Sequence, residues 1–430
     1  MVLQRANILT FIAVLILAGC DNPTGGGADN PQDQNDDGIS VSLGTENVLA
    51  AVNGQESDEF GWSVATFADV VVAGAPGVDG VNAVDRGAVY FFERNGAGTW
   101  TAMDSKAGDQ GADQFGFSSA IDGDYAVVGA PRPDETTGLE YVKIFGRQGD
   151  GSWNQIEKPI DGTTARDDFG HSVGISGLRV IAGAPKADPP GQSGAITDAG
   201  LVYIIDEQGT DPPSWPEGPS HTLQASDPEE QDWFGHAVAI DGDTAVIGAP
   251  GAGGEANKAY VFELTGSNTW EEQQFLTPDS PQASGGFGWS VAIAGKFIAV
   301  GAPFEDSAWG AVYLYEKEPD GSWHLSDRVV ASDRSEDASF GDAVALDGDL
   351  LLAGAQYGPD VTFTGRAYLF ARNSAGSWRE ALAFSGSDLA AGDRFGRGVD
   401  LSSTSVAVGA PWRDTDTGVS NVGEVFIYAR

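Results

Sequence analysis

Small and large apolar residues alternate over short stretches of this chain, as in Ser290-Val291-Ala292-Ile293 and Ala237-Val238-Ala239-Ile240. A period of two places alternate side chains on opposite faces of a strand. Each stretch runs into a tight turn, clearest at Asp122-Gly123-Asp124, Asp241-Gly242-Asp243 and Asp347-Gly348-Asp349, and then into a second apolar run such as Ala126-Val127-Val128. Asp-Gly between apolar runs predicts a hairpin, because the turn needs positive φ. A third strand follows, as Gly87-Ala88-Val89-Tyr90-Phe91, Gly200-Leu201-Val202-Tyr203-Ile204, Gly310-Ala311-Val312-Tyr313-Leu314 and Gly423-Glu424-Val425-Phe426-Ile427. A Gly/Asn-rich turn then leads to a fourth strand opening on Trp100, Trp153, Trp215, Trp270, Trp323 or Trp378. With few apolar periodicities of the helical kind, the chain reads as nearly all β.

The pattern recurs in register. Seven Phe-Gly pairs begin at Phe60, Phe115, Phe169, Phe234, Phe287, Phe340 and Phe395, and each is followed fourteen residues later by Gly-Ala, at Gly74, Gly129, Gly183, Gly248, Gly301, Gly354 and Gly409. Six of the seven read Gly-Ala-Pro; the exception is Gly354-Ala355-Gln356. The third residue after each Phe is small: Ser63, Ser118, Ser172, Ala237, Ser290, Ala343 or Gly398. Strands crowded around an axis require that. Repeats of roughly 50 to 60 residues with four strands each predict a seven-bladed β-propeller of four-stranded antiparallel blades over residues 39–430. The chain stops at Arg430, directly after the seventh third strand, so the stretch Ile39 to Val52 is expected to complete the last blade and close the ring. Closure removes an exposed strand edge.

Phe-Gly followed by Gly-Ala-Pro resembles the FG-GAP repeat of integrin α-chain propellers and of bacterial FG-GAP proteins. That resemblance implies the propeller fold and, in integrin-type repeats, calcium held by an Asp-x-Asp-x-Asp-Gly loop in the first hairpin. Here the hairpin is cut to Asp-Gly-Asp or replaced by Ser176-Gly177, Ala294-Gly295 and Ser402-Ser403. Calcium takes six to eight oxygens, which so short a turn does not supply, so no metal or other cofactor is expected and the Asp residues read as turn formers. A match at Asp33, Asn35, Asp37 and Gly38 lacks the acidic residue at its twelfth position, Gly44, and reads as polar linker. Asp58, Asp113, Asp167, Asp232 and Asp393, each two residues before a Phe, read as backbone-capping groups.

The charge of −40, from 63 acidic against 23 basic residues, argues against nucleic acid and anionic membrane surfaces as partners. The single cysteine excludes internal disulfides. Residues 1–19 carry Arg5 and the apolar run Ile8 to Ala18, too short for a membrane span, and read as an export signal. The ending Leu17-Ala18-Gly19-Cys20 resembles the lipobox of bacterial lipoproteins, which implies acylation of Cys20 and attachment to the bacterial cell envelope through lipid alone. Residues 20–38 have no apolar content to bury and read as a flexible tether.

A hairpin returns the chain to the end where it began, so the Phe-Gly and Gly-Ala-Pro segments share one face of the disc, and the loops that vary in length lie there. Binding usually resides in variable loops on a rigid scaffold. The residues after each Phe-Gly belong to this face: Trp62, Phe117, His171, His236, Trp289, Asp342 and Arg397, with Trp309 and Trp412 in adjoining loops. Aromatic and Arg side chains suit binding anchors, and aromatic planes suit sugar rings; the same residues also suit a plug at the channel mouth. His171 and His236, at equivalent positions, read as repeat drift, and His221 and His324 as isolated residues. No nucleophile elbow, phosphate loop or zinc motif is present. The expectation is a non-enzymatic scaffold for a protein or glycan ligand on the envelope. The alternatives are a polysaccharide lyase or hydrolase using a carboxylate pair, and a calcium-dependent adhesion module.

Overall fold

The computed structural model describes residues 41–430 apart from 82, 132–139, 157, 163–165, 191–195, 211, 252–256, 280–283, 359–363 and 416. The export signal, Cys20 and the Asp33 to Gly38 match lie outside the described residues. Seven antiparallel sheets form a ring, and the first strands of successive blades pack against one another around the axis. Blade 1 holds Val64–Phe67, Val70–Ala75, Ala88–Arg94 and Trp100–Ala107, and the order repeats through blade 6, which ends at Trp378–Phe384. Blade 7 holds Val399–Leu401, Ser405–Ala410 and Glu424–Ala429, and its fourth strand is Glu46–Leu49, with Glu46 opposite Tyr428 and Leu49 opposite Val425. The expected closure is therefore made, by the middle of the Ile39 to Val52 stretch.

Two outer strands depart from the expected form. In blade 2 the strand is broken into Trp153–Gln155 and Ile160–Asp161, with Pro159 in the gap. In blade 3, Trp215 does not open the strand, which begins only at His221. Pro212, Pro213, Pro216 and Pro219 surround Trp215, and a residue without an N–H cannot donate to a ladder. Trp215 is buried all the same and donates its indole N–H to the carbonyl of Leu178 at 3.1 Å.

The Phe-Gly pair occupies the corner of a turn in every blade. The N–H two residues after each Phe donates to the carbonyl of the residue before it, as from Trp62 to Glu59 and from Arg397 to Arg394. The turn glycines have φ between +87°, at Gly170, and +96°, at Gly396, as the third position of a type II turn requires. Each turn glycine donates its N–H to the Gly-Ala glycine of its own blade, for example Gly61 to Gly74 at 2.9 Å. Its carbonyl meanwhile lies on the preceding blade. A Cβ added to Gly74 would stand 1.9 Å from the carbonyl oxygen of Gly116, and one on Gly409 would stand 1.9 Å from that of Gly61. The same clash, at 1.9 to 2.1 Å, recurs at Gly129, Gly183, Gly248, Gly301 and Gly354, so the seven junctions form a closed circuit.

Serine at the small position adds a bond to the same carbonyl: Ser63 donates to Gly116, Ser118 to Gly170, Ser172 to Gly235 and Ser290 to Gly341, at 2.7 to 2.9 Å. Small size there thus serves blade docking as well as crowding at the axis. Each motif Phe is buried at this junction, and its ring packs on the third strand, as Phe234 on Tyr260 at 5.3 Å and Phe340 on Tyr368 at 5.3 Å. The apolar clusters accordingly straddle blades; one unites Val312 and Leu314 of blade 5 with Phe340, Tyr368 and Phe370 of blade 6. A single blade buries no core of its own.

On the opposite face the Asp-Gly turns link blades too. Asp122 accepts the N–H of Gly177 at 2.6 Å and Asp241 that of Gly295 at 2.7 Å, across to the next hairpin. The sequence reading of these carboxylates as purely local turn formers is corrected accordingly. Four of the five Asp residues before the Phe-Gly pairs cap backbone as expected: Asp58 accepts from Gln55, Asp113 from Asp109 and Gln110, Asp232 from Glu229 and Asp393 from Ala390.

Replacing Gly248 by Ala should cost more than about 3 kcal/mol or abolish folding, since the obstruction is backbone and overpacking already costs about 1–3 kcal/mol where side chains can yield. Gly96→Ala, at a position with nothing near its Cβ, should leave the melting temperature within about a degree of the parent. Equal melting of the two variants would contradict the blade junction described.

Candidate functional site

The type II turns set the geometry of the axial mouth, because the last residue of each projects toward the axis at one level. Seven side chains meet there as a collar. Trp62 and Phe117 rings lie 5.6 Å apart, Phe117 and His171 5.0 Å, His171 and His236 4.9 Å, and His236 and Trp289 4.4 Å. The indole of Trp289 flanks the carboxyl of Asp342, whose Oδ2 is 4.0 Å from Nη1 of Arg397, and that guanidinium stacks over Trp62 at 4.3 Å. All seven residues singled out by spacing are thus brought into one closed circuit of contacts.

Five members of the collar are aromatic or imidazole rings and two are charged. His171 is held well below its ordinary value, first by burial and then by the nearby His236, Arg397 and Lys186. His236 is lowered to about 4, again mainly by burial, although its Nδ1 lies 3.1 Å from the carbonyl oxygen of Trp289. Both imidazoles are neutral at physiological pH, so they act as rings in the stack, and the reading of His171 and His236 as unrelated drift gives way to direct contact. Asp342, only 6% exposed, is raised by burial against the opposing pull of Arg397 and Gln356. The Gln356 amide donates to Asp342 at 2.9 Å. Gln356 is the residue that replaces Pro in the one departing Gly-Ala-Pro, so two exceptions in blade 6 form a single pair.

A second tier escaped the sequence reading. The residue before each Phe has positive φ in all seven blades: Glu59, Gln114, Asp168, Trp233, Gly286, Ser339 and Arg394, from +50° to +70°. Left-handed backbone is uncommon outside glycine, and six non-glycine residues adopting it at one repeat position mark a strained turn that the blade junction enforces. Their side chains ring the collar: Trp233 stacks on His236 at 6.2 Å, and Arg394 lies 3.3 Å over Trp412 and 4.7 Å from Tyr357. The available signal was the position's periodicity, but its side chains share no chemistry. Trp412 therefore joins this tier. Trp309 stands further out, beneath Arg334 at 4.7 Å.

Between blades 1 and 2 the two tiers leave a cavity of about 260 Å³ lined by Ser57, Glu59, Trp62, Pro76, Gly77, Asp85, Gln114 and Phe117. Glu59 is raised by burial and by the charge of Asp85, against Arg397 and Arg394, and Asp85 is raised by burial and by Asp79. Val81 and Val84, on the loop just before Asp85, are exposed beside it. A larger depression of about 450 Å³ lies on the opposite face, among Glu93, Asp124, Arg147 and the turn Gln148 to Gly151. It is mostly polar and lacks aromatic lining. Elsewhere, His221 is not isolated, since its Nε2 lies 3.2 Å from Asp206, and His324 contacts Ser322 at 3.0 Å. Among the described residues no group of three or more His, Cys, Asp or Glu is placed to hold a metal ion, and no helix is long and apolar enough to cross a membrane.

The sequence pattern of the FG-GAP repeat matches residues 43–92, 100–142, 220–262, 270–315, 323–370 and 378–428, more than half of the chain, and the chain belongs to that family. The unmatched stretch between the second and third segments contains the broken outer strand of blade 2 and the proline-rich run around Trp215 that precedes the outer strand of blade 3. No curated protein matches. Among solved structures, the periplasmic gluconolactonase of Pseudomonas aeruginosa is similar at 14% identity and a TM-score of 0.49, over 76% of this chain and 86% of that one.

The collar should destabilise in acid. Unfolded His236 takes up its proton near 6.5 and folded His236 near 4, so its contribution is complete above about 6.5 and is lost as pH falls toward 4. Between pH 7 and pH 4 the melting temperature of the parent should fall relative to that of His236→Phe. A constant difference across that range would show that His236 does not titrate as its surroundings dictate.

Proposed function

We propose that this member of the FG-GAP repeat family is a non-enzymatic binding scaffold that takes a polyhydroxylated ligand, the end of a glycan chain, in the cavity between blades 1 and 2. The observation that carries the reading is the lining of that cavity. Trp62 and Phe117 supply apolar edges, while Glu59, Asp85, Gln114 and Ser57 supply acceptors and donors directed at the same space. A few convergent polar groups among aromatic walls suit a sugar, which presents hydroxyls at its rim and C–H groups on its faces. The lipobox-like leader supports an exported protein attached at Cys20 to the bacterial envelope, where glycans are abundant ligands.

One observation favours a second reading. Glu59 and Asp85 are two carboxyl groups in one cavity, each raised by burial and Glu59 also by the charge of Asp85. Such a pair can divide acid and base roles in a polysaccharide hydrolase or lyase.

Titration of the purified protein with a panel of neutral and acidic oligosaccharides, followed by calorimetry and Trp fluorescence, should give saturable binding to at least one member. Gln114→Ala should weaken it by up to about tenfold, the worth of one hydrogen bond. Failure of every panel member to bind would remove the glycan reading. New reducing ends or unsaturated products that vanish in Glu59→Gln would instead establish the enzyme.

A further inference from the structure

The residue that follows Gly-Ala-Pro, or Gly-Ala-Gln in blade 6, reaches a collar or second-tier side chain in four blades. Phe304 lies against Trp289 at 4.9 Å, and Tyr357 and Trp412 lie against the guanidinium of Arg394 at 4.7 and 3.3 Å. In blade 3 the residue is Lys186, whose Nζ stands 2.9 Å from Oδ2 of the second-tier carboxylate Asp168. Blades 1 and 4 carry glycine instead, Gly77 and Gly251. The second-tier residue of blade 4 is the bulky Trp233, stacked on His236, whereas that of blade 1 is Glu59. Blade 1 thus keeps the carboxylate of blade 3 and drops the lysine.

The two blades otherwise share a framework. In blade 1 Asp79 accepts the N–H of Asp85 at 3.0 Å, and the carbonyl of Asp85 accepts the N–H of Gln114 in the next blade at 3.0 Å. In blade 3 Asp188, Asp198 and Trp233 make the same two bonds, at 3.0 and 3.2 Å. A Cβ on Gly77 would stand 1.9 Å from the carbonyl oxygen of Ser57, so the loop leaves no room for a side chain there. The cavity between blades 1 and 2 opens at this position, and no Lys or Arg lines it. Arg397 and Arg394 act on Glu59 from the collar, but the first is stacked over Trp62 beside Asp342 and the second lies over Trp412. Arg86, next to Asp85, donates its Nε to the carbonyl of Gly108. Like charge bears on Asp85 from Asp79 and on Glu59 from Asp85, a repulsion that a bound cation relieves.

Resting on the reading of this cavity as a glycan site, we propose that the glycan end it takes is an amino sugar with a free amine, its ammonium standing at Glu59 as that of Lys186 stands at Asp168, with Asp85 as the second carboxylate. A compact ammonium has three donors, enough to serve both carboxylates at once. Trp62 and Phe117 then face the C–H surface of the ring, and Gln114 and Ser57 its hydroxyls. An N-acetylated sugar brings a neutral amide to the same place and leaves the two carboxylates without a counter-charge, so the site selects the free amine.

The test is calorimetry on the full chain with three probes: the trimer of glucosamine with its amines protonated, the trimer of N-acetylglucosamine, and trilysine. The glucosamine trimer should bind about tenfold or more tightly than the acetylated one, the worth of a hydrogen bond to a charged group. Glu59→Gln should bring the two sugars to near-equal affinity. Equal binding of both sugars by the parent overturns the amine selectivity and leaves the glycan reading standing, whereas binding of neither removes both. Trilysine binding as tightly as the glucosamine trimer shows that charge alone is read and overturns the proposal, as does a preference that persists in Glu59→Gln. Should Glu59→Gln not fold, Asp85→Asn, which also suits left-handed backbone, decides by the same comparison.

Discussion

The ring rests on one close approach: the carbonyl of each turn glycine lying against the α-carbon of a glycine in the preceding blade. No side chain fits between them, which fixes glycine at both ends of the motif. The turn glycine must also sit at φ near +90°, so its identity is determined twice, by backbone conformation and by space. Once seven such contacts close on themselves, the phenylalanine beside each is buried, the serine hydroxyl finds its acceptor, and the residue after each pair is delivered to the axis at a common height. The collar is thus a by-product of blade docking before it is anything else.

The same economy explains why the site is asymmetric on a nearly symmetric scaffold. From Trp62 through Trp289 the collar is a run of rings in mutual tilted contact. Only the arc over blades 6 and 7 breaks it, where Asp342 and Arg397 bring charge. Gln356 and Arg394 then carry polarity outward to Tyr357 and Trp412. The cavity opens between Trp62 and Phe117, within the aromatic arc, and its polar lining comes from Ser57, Glu59, Asp85 and Gln114 rather than from the charged arc.

Much of this was legible in the residues. The fourteen-residue interval fixed the hairpins, the count of tryptophan strands foretold closure by the N-terminal stretch, and the periodic position after Phe-Gly located every collar side chain. What spacing did not reveal was contact. His171 and His236 read as drift because a repeat alignment shows equivalence but not adjacency across a seam. Trp215 misled because it keeps its buried place while the prolines around it deny the backbone a ladder. The Asp-Gly turns concealed their bridging role because local turn chemistry accounts for the same residues. The tier at Glu59, Gln114 and Arg394 stayed hidden because its common property is a backbone angle, shared by side chains as unlike as carboxylate, amide and guanidinium.

The closing strand has a direction as well as a function. It runs as every fourth strand does, toward the collar, so Glu46 begins at the far side of the disc, near Arg430 and the hairpin turn of Asp347. Gly44 continues the same path, donating its N–H to Ala429 at 2.7 Å. The described chain thus enters the ring on the face opposite the cavity, and the strand that closes the circle is laid down from that far face inward.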